Sequence, residues 1–299
     1  MTKEYNNKLV KLASYASVAT AIIIMSAKTY GWLITESQSI LASLVDSMLD
    51  ISSSLINLIA IRVSLLPPDD NHRFGHEKFQ DLAIFSQSIF FFASCLFTLF
   101  SSAKSLFVEP ELVNHEMGAK AMYLCVLLTL ILVCFQSYVT KKTHSKIISA
   151  DKLHYFSDLI TNIAVIASIY LSVTYWYIDS LVGIGISLYI MYASYKLFRE
   201  AIRNLADEEF HPMDKTKILE IVGKSGHARG IHELKTRYAA NKPFIQFHLE
   251  LDGDLSLHEA HEIADSIMAS LLKEFPDAEI TIHQDPVGLE KDVNYREKI

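Results

Sequence analysis

The chain has 299 residues, 51% of them hydrophobic, and a mean hydropathy of +0.23. This is more apolar surface than one soluble core of this size normally needs, so a membrane protein is the first expectation. The formal net charge of −7 argues against a nucleic-acid partner, which would require a basic face to neutralise phosphates.

Six apolar segments precede residue 205, and each has at least the roughly 20 residues that a helix needs to cross the hydrocarbon layer. They cover approximately residues 12–34, 40–65, 82–108, 119–139, 153–176 and 178–198. Lysine and arginine cluster before the first segment, after the sixth, and in every second loop between them. Because cytoplasmic loops are enriched in basic residues, both termini are expected in the cytoplasm. Residues 1–207 are therefore predicted to form a domain of six transmembrane helices.

Beyond Asp207 the composition becomes that of a soluble domain. The pattern predicts a helix at 213–224, strands at 231–238 and 243–251, a helix at 256–275 and a strand at 279–284. The second strand alternates, with Ile245, Phe247 and Leu249 on one face and His248 and Glu250 on the other. Residues 208–299 are therefore expected to form a cytoplasmic α+β domain of order αββαβ, ferredoxin-like or metallochaperone-like, with helices on one face of a short sheet.

Two pairs of ionisable residues stand at helical spacing inside the second and fifth apolar segments. The pairs are Asp46 with Asp50 and His154 with Asp158. A buried carboxylate in a membrane costs at least a few kcal/mol unless it is paired, protonated or bound to a cation. Three carboxylates and one imidazole suit a tetrahedral Zn²⁺ site, with Cd²⁺, Co²⁺ and Fe²⁺ as competitors. The alternative hypothesis is that these groups only hold helices together or relay protons.

Four stretches carry a resemblance to the cation diffusion facilitator family, in particular its bacterial zinc and ferrous-iron efflux branch. They are SILASLVDSMLDISSSLINL, PDDNHRFGHEK, ADKLHYFSD and ITIHQDP, and the similarity extends over nearly the whole chain. The resemblance implies a homodimer in the bacterial inner membrane, which is not an enzyme and exports divalent metal in exchange for protons. It maps the transport site onto Asp46, Asp50, His154 and Asp158. Zn²⁺ is the favoured substrate.

The loop after the second segment contains Asp69, His72 and His76, with the two histidines four residues apart. The resemblance implies that this loop holds a second metal site, with Asp70 as a further contributor. The chain departs from its relatives here. It has Glu77 where they typically carry glycine, and Gln80 where they carry glutamate.

The soluble domain contains histidines on separate elements and an aspartate on its last strand. The resemblance makes His232, His248, His261, His283 and Asp285 the ligands of a binuclear site that bridges the dimer. Zn²⁺ is therefore expected both as transported substrate and as a structural or regulatory ion. No nucleotide or organic cofactor is expected, since the Gly-Lys-Ser at 223–225 lacks the upstream glycine of a phosphate-binding loop.

Two other functions compete with transport. A membrane metal sensor without ion flux would use the same histidines, but it leaves Asp46 and Asp158 unexplained. An intramembrane metalloenzyme would need a general base beside an open metal position. The intramembrane set offers four ligands and no evident spare group, so transport is the preferred hypothesis.

Overall fold

The structure is a computed structural model, which describes residues 3–35, 38–107, 116–171, 177–288 and 296–297. The chain divides into two compact units, Met1–Ile202 and Arg203–Ile299. The first is helical, and the second contains a small sheet with helices.

Six long helices account for the N-terminal part of the chain. They are α1 (Lys3–Thr35), α2 (Gln38–Ser64), α3 (Lys78–Ser105), α4 (Glu116–Thr143), α5 (Lys146–Leu171) and α6 (Tyr177–Leu205). Each begins before the start of its predicted apolar segment, because backbone hydrogen bonding continues into polar residues that flank an apolar run. Helix α5 starts at Lys146, which places His154 about two turns inside the helix.

Three helices of the described residues are long and apolar enough to cross a membrane. The qualifying spans are Glu4–Tyr30, Lys78–Lys104 and Tyr123–Thr143, which lie in α1, α3 and α4. The helical domain is thus confirmed as apolar and membrane-compatible. The number of transmembrane helices, six, stays a prediction.

The helical unit buries small, polar and branched apolar side chains, and it also exposes many large apolar side chains. Its buried cluster includes Ala13, Ala60, Ala83 and Ala150, which let helices approach closely. Large apolar side chains such as Phe97 remain exposed on the outer surface of the helices. An apolar outer surface around an interior that includes small and polar residues is the arrangement expected of helices surrounded by lipid.

The second unit is built around a sheet of order β3-β2-β1-β4. Helix α7 (Pro212–Gly223) precedes the hairpin of β1 (Gly230–Ala239) and β2 (Lys242–Leu251), and helix α8 (Leu257–Glu274) connects β2 to the parallel strand β3 (Glu279–Pro286). The predicted order αββαβ is confirmed. The two-residue strand β4 (Arg296–Glu297) was not predicted, because two residues carry no periodicity.

One face of this sheet packs against the two helices. Ile245, Phe247 and Leu249 of β2 are buried together with Ile218 of α7 and Ile267 of α8. This confirms the alternation predicted for the second strand. Since neighbouring residues of a strand point to opposite faces, His248 and Glu250 lie on the face away from the helices.

Candidate metal centres

The first group of possible ligands joins α2 to α5. His154 Nε2 lies 3.0 Å from Asp50 Oδ1 and 3.7 Å from Asp158 Oδ2. Ligand atoms of these three residues all lie within 4.8 Å of one another, so one metal ion could contact all of them. Asp46 stands one helical turn before Asp50 on α2, but its side chain lies outside the described part of the structure.

Aromatic rings fix the position of the His154 imidazole. Phe91 and Tyr155 each place a ring centroid 5.1 Å from that of His154. The Tyr155 hydroxyl is itself 2.7 Å from Ser54 Oγ on α2. The imidazole is therefore confined between apolar walls with its Nε2 directed at two carboxylates, which suits metal ligation or ion pairing.

The second group lies in the loop between α2 and α3. Asp69 contacts both histidines, with Oδ1 3.2 Å from His72 Nδ1 and Oδ2 3.3 Å from His76 Nε2. His76 is buried, whereas Asp69 is half exposed. Asp70 instead forms an exposed ion pair with Arg73 at 2.7 Å. The structure thus brings Asp69, His72 and His76 together and leaves Asp70 outside the group.

This loop is not helical, although the two histidines have helical spacing. Asp69 Oδ1 accepts hydrogen bonds from the backbone N–H groups of His72, at 2.7 Å, and Asn71, at 2.9 Å, and this local bonding competes with a helix. The same bonds, led by the one from His72, lower the pKa of Asp69. The carboxylate is therefore held in the ionised form that a metal ligand requires.

Gly75 and Glu77 fold against each other in this loop. Gly75 has a φ of +93°, and a Cβ at this position would collide with the Glu77 carboxylate. Glu77 therefore folds back over a residue whose φ and surroundings favour glycine. In this arrangement His72 and His76 both remain in contact with Asp69.

Gly75→Ala is expected to weaken metal binding by this loop, because the added methyl must displace Glu77 or distort the backbone beside His76. Zn²⁺ titration of the full chain measures the effect. Gly226→Ala is the matched control: its φ is +72°, but open space surrounds the position, so it introduces backbone strain of about 1 kcal/mol without a collision. Unchanged loop binding in Gly75→Ala would contradict the prediction.

The third group arises from strand register. His232 of β1 is directly opposite His248 of β2, which is opposite His283 of β3, and Glu250 is opposite Asp285. Asp285 Oδ2 is 2.8 Å from His248 Nδ1 and 3.5 Å from His232 Nε2, and its Oδ1 is 3.1 Å from His283 Nε2. One carboxylate thus contacts three imidazoles from three adjacent strands.

His261 does not belong to this group within the described protomer. It is exposed on α8, where its Nε2 lies 3.5 Å from Asp265. Glu250, by contrast, was not predicted as a functional residue. Its Oε1 lies 3.2 Å from Nδ1 of the fully buried His232, so it can orient that imidazole. The signal in the sequence was an acidic residue two positions after His248 on the same face of the strand.

The three groups share one chemistry. Each combines at least one carboxylate with at least one imidazole, and none includes a sulfur ligand. Such nitrogen and oxygen sets suit Zn²⁺ and other divalent transition metals.

Two family models match the chain. The cation efflux transmembrane domain matches residues 14–206, and the cytoplasmic domain of cation efflux proteins matches residues 211–287. Protein p34 of Rickettsia rickettsii is 58% identical over 299 residues, which are 100% of this chain and 99% of the relative. Cation-efflux pump FieF of Shewanella oneidensis is 42% identical over 282 residues, which are 94% of this chain and 95% of the relative. A solved structure, the Zn form of CzrB, is 35% identical and covers 29% of this chain and 99% of its own, with a TM-score of 0.27.

The matched domains together span almost all of the helical unit and the sheet unit. The relatives align with this chain from end to end, so the similarity concerns a whole protein and not a shared module. The chain belongs to the cation diffusion facilitator family, and it is an integral membrane cation efflux transporter with a cytoplasmic domain, not an enzyme.

Proposed function

We propose that this transporter exports a divalent transition metal in exchange for protons, with Zn²⁺ as the favoured substrate and Fe²⁺, Cd²⁺ and Co²⁺ as alternatives. The observation that carries the proposal is the group formed by Asp50, His154 and Asp158 between α2 and α5. Asp46 is proposed as the fourth ligand. Four nitrogen and oxygen ligands at membrane depth bind such a cation and are costly without one.

Proton exchange follows from the chemistry of these ligands. A bound metal needs ionised carboxylates and a neutral imidazole, so protons and metal compete for the same groups. When metal leaves, a proton on His154 is compensated by Asp50 at 3.0 Å and Asp158 at 3.7 Å. His154 is therefore the proposed coupling residue, since its imidazole must lose a proton before its nitrogen can bind the metal.

The other two groups are proposed as auxiliary metal sites. The loop group of Asp69, His72 and His76 would bind metal beside the membrane domain. The group of His232, His248, His283 and Asp285 would bind structural or regulatory metal in the cytoplasmic domain, with His261 supplied across a homodimer. In this proposal both termini are cytoplasmic, the membrane is the bacterial inner membrane, and the transmembrane domain ends at Asp207.

Zn²⁺ flux in proteoliposomes tests the function. An acidic interior is expected to drive Zn²⁺ uptake, read by a trapped Zn²⁺ indicator, with protons leaving at the same time. An ionophore that exchanges K⁺ for H⁺ should collapse the pH gradient and stop net accumulation. Zn²⁺ binding without any flux would instead favour a sensor, and flux that ignores the pH gradient would contradict proton exchange.

A further inference from the structure

A buried carboxylate outside the three groups stands next to the proposed transport site. Asp151 precedes His154 by one turn of α5, and only 1% of its surface is exposed. An acidic group in the interior of a membrane bundle is costly unless its oxygens are fully compensated. Its partners therefore indicate what it does.

Asp151 accepts hydrogen bonds from three other helices. Its Oδ2 accepts from the Ser17 hydroxyl of α1 at 2.6 Å and from Gln136 Nε2 of α4 at 2.7 Å. Its Oδ1 accepts from Asn57 Nδ2 of α2 at 3.0 Å. All of these side chains are buried. Since both carboxylate oxygens face N–H and O–H groups, the site presents partial positive charge and is unsuited to a metal ion.

The contact with Asn57 continues a series of polar contacts between α2 and α5. Asp50 faces His154 at 3.0 Å, Ser54 faces Tyr155 at 2.7 Å, and Asn57 faces Asp151 at 3.0 Å. From the first pair to the third, residue numbers rise from Asp50 to Asn57 along α2 and fall from His154 to Asp151 along α5, so the two helices are antiparallel. Three consecutive contacts fix the axial register of the helices, because sliding by one turn would displace every pair by about 5.4 Å.

We propose that Asp151 is a positioning residue of the transport site. Its carboxylate ties α5 to α1, α2 and α4 and thereby sets the separation of His154 and Asp158 from Asp50. The inference rests on the proposed function, because it takes those three residues as metal ligands. Buried partners that orient a metal ligand typically change metal affinity by roughly 10–100-fold when removed.

The test measures Zn²⁺ binding by the purified full chain. The relevant component is the part of this binding that is lost in Asp50→Ala, because that part belongs to the proposed transport site. Asp151→Asn preserves shape but places an amide opposite the Asn57 amide, and it is expected to weaken that component roughly 10–100-fold. Folded protein is quantified separately by size-exclusion chromatography. Ser194→Ala is the control, since it removes a buried hydrogen bond of 3.1 Å that joins α6 to the Ser88 carbonyl of α3 and that involves no group of α2 or α5.

A swap of the two partners should restore affinity. In the double variant Asn57→Asp with Asp151→Asn, the N–H group of the new amide on α5 donates to the new carboxylate on α2. The oxygen of the same amide accepts from Gln136. The second carboxylate oxygen can accept from Gln87 Nε2, which is buried without a hydrogen-bond partner among the described residues and lies beside Asn57. A general loss of stability would not predict recovery of metal affinity per folded molecule.

Three results would each overturn the inference. They are wild-type Zn²⁺ affinity in Asp151→Asn, an equal loss of affinity in Ser194→Ala, and a double variant that binds Zn²⁺ as weakly as Asp151→Asn. If Asp151→Asn does not fold, Ser17→Ala replaces it in the test, because it removes one of the three donors to Asp151. Several-fold weaker Zn²⁺ binding is then expected, and unchanged affinity would overturn the inference. Failure of the proposed function can be told apart from failure of this inference, because in the first case Asp50→Ala would leave Zn²⁺ binding unaffected.

Discussion

Asp50→Ala is expected to abolish Zn²⁺ transport, with a rate loss of more than about 100-fold, since even partners that only orient a ligand typically contribute 10–100-fold to affinity. Asp50 is the α2 residue that faces His154, at 3.0 Å, and the other two members of the group both come from α5. Without it, the described part of α2 offers no carboxylate to the group. The measurement is Zn²⁺ uptake into proteoliposomes under an imposed pH gradient.

Two further variants separate charge from size and from folding. Asp50→Asn keeps the shape of the side chain but cannot bind a cation as a carboxylate does, so transport should be lost equally. Ser194→Ala removes a buried polar contact between α6 and α3 and should retain transport. Transport at the normal rate by folded Asp50→Ala would contradict the assignment of the site.

The positions of the elements could be predicted because each depends on a local pattern. Long apolar runs predicted the helices of the first unit, and alternation in residues 243–251 predicted β2 with its buried face of Ile245, Phe247 and Leu249. The contact between Asp50 on α2 and the part of α5 that carries His154 and Asp158 could be expected for a different reason. Charged groups in apolar helices are costly, so they are expected to meet.

Other contacts between distant segments could not be predicted from local patterns. The alignment of His232, His248 and His283 depends on strand register, which the alternation of each strand does not determine. The hydrogen bonds that compensate the buried Asp151 carboxylate come from side chains of three other helices. The spacing of His72 and His76 likewise did not indicate the local structure of their loop, in which the Asp69 side chain accepts hydrogen bonds from backbone N–H groups.

Asp285→Ala is expected to remove metal binding from the cytoplasmic domain, with an affinity loss of more than about 100-fold. Asp285 lies within 3.5 Å of His232, His248 and His283, so its loss removes one carboxylate from all three imidazoles at once. The measurement is Zn²⁺ titration of the full chain carrying Asp50→Ala and Asp69→Ala, which remove the transport site and the loop site from the signal. Retained high-affinity binding would show that the histidines suffice.

Two histidines of α8 complete this experiment. His258 is exposed and pairs with Glu262 on its own helix, so His258→Ala should leave binding unchanged. His261 is also exposed and outside the group in one protomer. A binuclear site that bridges the dimer nevertheless predicts that His261→Ala lowers the number of bound Zn²⁺ ions, because a second copy would supply this imidazole. Equal behaviour of the two variants would contradict the bridging site and leave a site formed within each protomer.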